Sequence, residues 1–296
     1  MKRVLLVVFV ILTATTILSA QTSFYYPHVA NGVLGGGVWK TTIFLTNPSS
    51  TAASGTITFM QEVTSNLGLA GLPFAINFTD ETGAPAGSGN TITFSVPPGA
   101  TRKYVSSGTG TYAGGFASVV TDVGSVNGTA IFSEFDGSGK LIGEAGVPAS
   151  PSARNQAIFV DSQGGFNVGV AYANPGSAST QVTLSLLNSA AATVATTTQP
   201  LGPGNHTAAF ISQLFPGVPP LVGTMKISGV DGPLAAIALR FDGTSPLFTT
   251  LPPLTLASLI SPAVEWLGER PWLAPLTSIA RLLGALRLPG VQPAIG

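Results

Sequence analysis

The chain reads as all-β: two tandem antiparallel β-sandwiches of immunoglobulin-like size, followed by a short helical C-terminal segment. Three observations predict this. First, the chain repeats itself in register, with Asn47-Pro48 recurring as Asn174-Pro175, Pro98-Gly99 as Pro203-Gly204, and Phe135-Asp136-Gly137 as Phe241-Asp242-Gly243. Second, apolar residues alternate with a period of two in short runs, which in a strand sends one set to the core. Third, those runs are punctuated by Gly, Pro, Asn and Asp, and no long helical periodicity separates them, which argues for sandwiches and against a parallel α/β sheet.

The elements follow in order. Residues 1–20 open with Met1-Lys2-Arg3, continue with an apolar run and end in Ser19-Ala20 before Gln21, the pattern of a cleaved secretion signal. The run is short for a membrane span and is broken by Thr13, Thr15 and Thr16, so a retained anchor is the less favoured reading. The expected location is secreted or cell envelope. The first sandwich is expected over residues 21–148 and the second over 155–252, with residues 146–154, containing Pro148 and Pro151, as a short stiff linker.

Within the copies, Trp39, Thr41, Ile43 and Leu45 align with Phe166, Val168, Val170 and Tyr172 as inward-facing series. Each series ends at Asn-Pro, because proline lacks a ladder donor and restricts the residue before it. Residues 55–61 (Ile57 and Phe59 inward) match 181–187 (Val182, Leu184 and Leu186 inward). Turns at Pro98-Gly99 and Pro203-Gly204 lead to further strands, and residues 128–136 and 234–242 both finish in an Asp-Gly suited to a hairpin. The first copy is longer, the extra residues falling within 62–90. That insertion holds an apolar stretch, 72–78, that could add a strand, and it reads either as a binding loop or as surface decoration.

Residues 253–296 depart from the β pattern. Ser261-Pro262 is a helix start, and residues 276–288 place Ile279, Leu282, Leu283 and Leu286 on one stripe, with Arg281 opposite. Docking on a sandwich or on a partner is the expected role, with membrane contact through this helix as the alternative.

Composition narrows the function classes. Charged residues are 8% of the chain and the formal net charge is 0, so no one-signed patch is available to attract nucleic acid. The surface should be rich in hydroxyls and amides. The chain contains no cysteine, which excludes disulfides and thiol chemistry.

No catalytic, cofactor-binding or metal-binding residue is assigned. His28 and His206 occupy different positions in the repeat and read as ordinary surface or turn residues. Glu134 and Asp136 share a strand face, yet the second copy has Arg240 and Asp242 there, and the Asp-Gly is explained by turn geometry. Asp136-Gly137-Ser138-Gly139 and Asp80-Glu81 are weak candidates for a calcium ion, since neither has the acidic spacing of a calcium loop. No Gly-x-Ser-x-Gly elbow occurs, and glycine-rich residues 32–37 precede a strand rather than a helix. Asn77, Asn127 and Asn205 head formal glycosylation sequons. Tyr25, Tyr26 and Trp39 could form a sugar-stacking platform, although alternation places Trp39 in the core.

The run from Tyr26-Pro27-His28 through Asn31-Gly32, then Trp39-Lys40-Thr41-Thr42, Thr46-Asn47-Pro48, Pro97-Pro98-Gly99 and Gly128-Thr129-Ala130-Ile131-Phe132, resembles a repeat of uncharacterised secreted bacterial proteins. The resemblance covers most of residues 24–252 and implies an exported β-sandwich, with no activity or site attached. The second copy departs from it where Ile158-Phe159-Val160 replaces the Pro-His step. The expected function is a non-catalytic binding or structural module, acting in cell-surface adhesion or scaffolding through protein contacts. Carbohydrate binding is the alternative. A hydrolase would require Glu134, Asp136, Asp80 or His28 to meet in one cleft.

Overall fold

The computed structural model describes residues 22–245 and 247–256. The expected secretion signal at 1–20 and the expected helices beyond residue 256 lie outside the described residues. The first half contains β1 (Thr22–Leu34), β2 (Gly37–Thr46), β3 (Ala53–Gln61), β4 (Leu72–Pro73), β5 (Ile76–Thr79), β6 (Pro85–Gly89), β7 (Thr91–Val96), β8 (Thr101–Ser106), β9 (Ala113–Val123), β10 (Asn127–Phe135) and β11 (Leu141–Pro148). The second contains β12 (Asn155–Asp161), β13 (Phe166–Ala173), β14 (Thr180–Asn188), β15 (Thr193–Leu201), β16 (His206–Phe210), the single-turn α1 (Ile211–Leu214), β17 (Val222–Gly229), β18 (Ala235–Asp242), β19 (Phe248–Leu251) and β20 (Leu254–Thr255).

The chain is all-β and every strand pairing is antiparallel. The two halves share one strand order. β7-β3-β9-β1 and β8-β2-β10-β11 in the first correspond to β15-β14-β17-β12 and β16-β13-β18-β19 in the second. This is not the ABED and CFG order of an immunoglobulin domain. Alternation and turn spacing specify strand number and inward faces, and leave the order of connection open. Residues 254–255, expected to begin the helical segment, instead pair with β12 as β20.

The inward series are largely as alternation requires. Ile43, Leu45, Ile57, Phe59, Val168, Val182, Leu184 and Leu186 are fully buried, with Val170 and Tyr172 beside them. Trp39 and Phe166, expected in the core, are only half-buried at the strand entrances. Their alignment also slides, because Glu134 faces Trp39 whereas its counterpart Arg240 faces Val168. A slide of two residues leaves every side chain on its original face. Phe166 is capped by the Arg240 guanidinium, 3.3 Å from the ring centroid, and Arg240 is held by Asp161 at 2.7 Å.

The repeated Asn-Pro step does more than end a strand. Asn174, 1% exposed, donates from Nδ2 to the carbonyls of Ala178, Leu201 and Gly202 at 2.8, 3.1 and 3.1 Å. Its Oδ1 accepts the Gly176 N–H at 2.9 Å. Asn47, fully buried, does the same for Thr51 and Val96 at 2.7 and 2.9 Å, and accepts the Ser49 N–H at 3.0 Å. Each asparagine thus satisfies loop carbonyls that burial would otherwise leave unpaired.

The outward faces explain the scarcity of charge. Hydroxyl pairs cross neighbouring strands at Thr46–Thr101, Thr58–Thr91, Thr183–Thr198 and Thr196–Ser185. β-branched threonine fits a pleated surface while its hydroxyl faces water.

The two repeats are welded together. Alternation fails in β13 and β18, where consecutive residues are buried, because the first repeat covers the outer face of that sheet. Ala171, Ile237 and Leu239 belong to the first repeat's core cluster, and Phe241 and Phe248 pack against it. Burying Ile237 and Leu239 contributes about 1.5–3 kcal/mol each. The edge strands β11 and β19 lie side by side, with the Thr250 hydroxyl donating to the Gly146 carbonyl. The linker is pinned at both ends, since Ser150 exchanges two backbone bonds with Tyr25 and Ala153 exchanges two with Leu234.

The insertion forms a strap. Its second part extends the first repeat, β5 pairing with both β8 and β6, while β4 pairs with β3. Its first part, residues 62–71, wraps the Gly202-Pro203-Gly204-Asn205 turn of the second repeat. Fully buried Asn205 accepts the Val63 N–H at 2.9 Å and donates to the carbonyls of Val63, Leu67 and Leu69 at 3.3, 3.1 and 3.1 Å. A Cβ on Gly202 would lie 1.9 Å from the Leu69 carbonyl oxygen, so the approach requires glycine. Burial also removes the Asn205 sequon from the accessible surface. The insertion is therefore neither a free binding loop nor decoration along residues 62–71.

Replacing Asn174 with alanine strands three carbonyls, and should lower unfolding free energy by about 2–4 kcal/mol in urea with an unchanged m-value. Asn205→Ala, which restores the residue type of its counterpart Ala100, should leave the sheets intact but release the strap. Hydrogen exchange should then accelerate in residues 62–71 by at least about tenfold, with β3 and β14 unaffected.

Candidate functional site

The weld leaves a half-open cavity of about 280 Å³ between the repeats. The first repeat lines it with His28, Trp39, Tyr112 and Phe132, and the second with Gly169, Ala171, Ala208, Phe210, Gln213, Leu239, Phe241 and their neighbours. The aromatic walls touch one another across the seam. Trp39 stacks on Phe132 at 4.8 Å, Phe132 meets Phe248 at 5.8 Å, Phe248 stacks on Phe241 at 5.2 Å, and Phe210 packs edge-on to Phe241 at 5.2 Å. Gly169 is the floor beneath Phe241 and Phe210, where an added Cβ would come within 3.1 Å of the Phe241 ring.

Behind the cavity runs a polar chain of two buried histidines and the partly exposed Glu62. Glu62 Oε2 lies 3.1 Å from His206 Nδ1, and His206 Nε2 lies 3.3 Å from His28 Nδ1. The imidazoles stack with centroids 5.3 Å apart, and His28 also sits edge-on to Phe132 at 4.8 Å. His28 is 7% exposed and His206 fully buried, so the expectation of ordinary surface or turn histidines is overturned. The residues are remote in sequence and come together only because the repeats dock.

Local chemistry explains how each arrives. Between Tyr26 and Val29 the β1–β9 register shifts: three steps along β1 match two along β9. Proline has no ladder donor, so Pro27-His28 bulges, and a bulge re-aims the side chain it carries. His206 opens β16 just past the strapped turn, and Asn205 Oδ1 accepts its N–H at 2.8 Å. Glu62 is the first residue of the insertion, directly after β3.

A carboxylate only accepts, so in the neutral pair His206 carries its hydrogen on Nδ1 and offers the Nε2 lone pair to His28. His28 then donates from Nδ1 and keeps a bare lone pair on Nε2. Burial first, and His206 second, push the His28 imidazole down to about 3, so it stays uncharged. Burial, with a smaller contribution from Glu62, pushes the Tyr112 phenol up to about 12. Trp39 Nε1 is buried and has no hydrogen-bond partner among the described residues.

The acidic residues expected to be weak candidates do not join this cluster. Asp136 Oδ1 accepts from the Ser138 N–H and hydroxyl at 2.8 and 2.6 Å, and from the Lys140 N–H at 3.0 Å. Asp80 holds Thr82 and Ala84 in the same way, and Asp242 holds Thr244. In each case the side-chain bond from the turn hydroxyl leads in lowering the carboxyl's pKa. Glu134, by contrast, is raised by burial. Glu134 faces Trp39 on β2, whereas Arg102, the partner of Glu81 beside Asp80, faces Leu45. Six residues of strand separate those positions by about 20 Å. The four groups a hydrolase would need are thus not gathered in one cleft. Among the described residues no group of three or more His, Cys, Asp and Glu could hold a metal ion, and no helix is long and apolar enough to cross a membrane.

No protein-family model matches the chain, and no curated protein is detectably similar to it in sequence.

The depressed His28 sets a pH dependence. The unfolded chain protonates this histidine below about pH 6.5 while the native state does not, so its contribution to stability is present above that pH and lost as pH falls toward 3. Between pH 7.5 and 5 the loss should be about 2 kcal/mol. Urea titrations of wild type and His28→Phe should differ by that amount over the interval, the variant showing the shallower decline.

Proposed function

We propose that the protein is an exported, non-catalytic binding or structural module, serving cell-surface adhesion or scaffolding through protein contacts. The observation that carries this reading is the weld between the repeats. A strap, a shared aromatic seam and a linker bonded at both ends leave no hinge, and a rigid two-sandwich body is suited to holding partners at fixed spacing. Export rests on the N-terminal pattern of residues 1–20 and on the resemblance to repeats of secreted bacterial proteins. That resemblance, together with the common strand order of the halves, supports reading them as copies of one immunoglobulin-sized unit.

A second reading, polysaccharide binding, is favoured by the hydroxyl-lined outer faces, where Thr183, Thr198, Ser185 and Thr196 form a neutral hydrogen-bonding array. In the native host, N-terminal sequencing of the mature chain should begin at Gln21. Cross-linking on intact cells should join the chain to a specific envelope protein. Cytoplasmic retention would contradict export, and glycan-array binding without a protein cross-link would favour the polysaccharide reading.

A further inference from the structure

We infer that the seam cavity is a binding site for a small phenol-type molecule, one aromatic ring bearing a hydroxyl, with that hydroxyl on His28 Nε2. This goes beyond the proposed function and holds whether or not the chain contacts an envelope protein. The size fits. A dry apolar cavity of about 150 Å³ accommodates benzene, and the seam cavity, at about 280 Å³, admits one ring with substituents. The walls fit as well, since Trp39, Phe132, Phe210 and Phe241 present ring faces and edges, and no charged side chain lines the space.

The polar groups decide the chemistry. With both imidazoles neutral, the chain from Glu62 through His206 makes His28 Nδ1 the donor and leaves Nε2 as an acceptor, with no donor on it among the described residues. His28 is more than nine-tenths buried and lines the cavity, and a ligand would reach that lone pair from the cavity. Trp39 supplies the complementary group, a buried indole N–H with no acceptor among the described residues. A hydroxyl both donates and accepts, so a single one carried on an aromatic ring can answer one of each while the ring meets the aromatic walls. Sugars fit less well, because most of their hydroxyls would meet apolar walls and lose their hydration uncompensated.

The test is calorimetric titration of the full mature chain at pH 8 with 4-methylphenol and with toluene, which has the same ring and methyl but no donor. The expected result is saturable binding of 4-methylphenol, with toluene weaker by about three- to tenfold. Ala208→Trp, at an exposed position on the cavity rim, should abolish binding of both. His28→Phe, checked for folding by circular dichroism, should erase the preference between them. Absence of saturable binding, equal affinity for the two in the wild type, or binding indifferent to Ala208→Trp would each overturn the proposal. The wild-type comparison and the Ala208→Trp variant decide the matter even if His28→Phe fails to fold.

Discussion

In the sheet β16-β13-β18-β19 the central strands β13 and β18 bury residues on both faces, and the remaining architecture is organised around that fact. One face packs Val168, Val170, Ala236 and Ala238 into the second repeat's own core. The other presents Ala171, Ile237, Leu239 and Phe241 to the first repeat. A sandwich sheet normally spends one face on solvent, and alternation in its strands reflects that. Here small and apolar residues occupy both faces, and the partner sandwich takes the place of water. The strap, the pinned linker and the juxtaposed edges are what hold that cover in position.

Covering a sheet with a differently shaped surface leaves space, and the space is where the polar groups gather. Glu62, His206 and His28 come from an insertion, a turn and a bulge, each a local departure from regular strand pairing. His206 joins Glu62 and His28 only because the second sandwich docks on the first. Their mutual hydrogen bonds satisfy ring nitrogens that burial would otherwise penalise. The result is a cavity that is apolar and aromatic over most of its surface, with a single oriented acceptor at its rear.

The strands and their inward faces were legible in the sequence because a period of two and a repeated set of turns both report on them. Ile57, Phe59, Val182, Leu184 and Leu186 lie where alternation places them. The order of strands was not legible, since antiparallel layers of equal size can be connected in several ways. The site was also hidden, for a related reason. Similarity between the copies marks what each needs for its own core, as with Asn47 and Asn174. The seam is built from positions where the copies differ: Pro27-His28 against Ile158-Phe159-Val160, Asn205 against Ala100, and Glu62 in an insertion the second copy lacks. Read as divergence of no consequence, those positions looked like surface; read as a set, they trace the interface.

The strap has a consequence for the order of assembly. Residues 62–71 belong to the half that emerges first from the ribosome, while the turn they encircle, residues 202–205, arrives more than a hundred positions later. Until then the leading half has an unclosed flank and its aromatic wall is bare, the condition in which nascent β proteins associate wrongly. Completion therefore runs backwards along the chain, with the later copy finishing the earlier one. A polypeptide built this way gains from staying unfolded until its last strands are available.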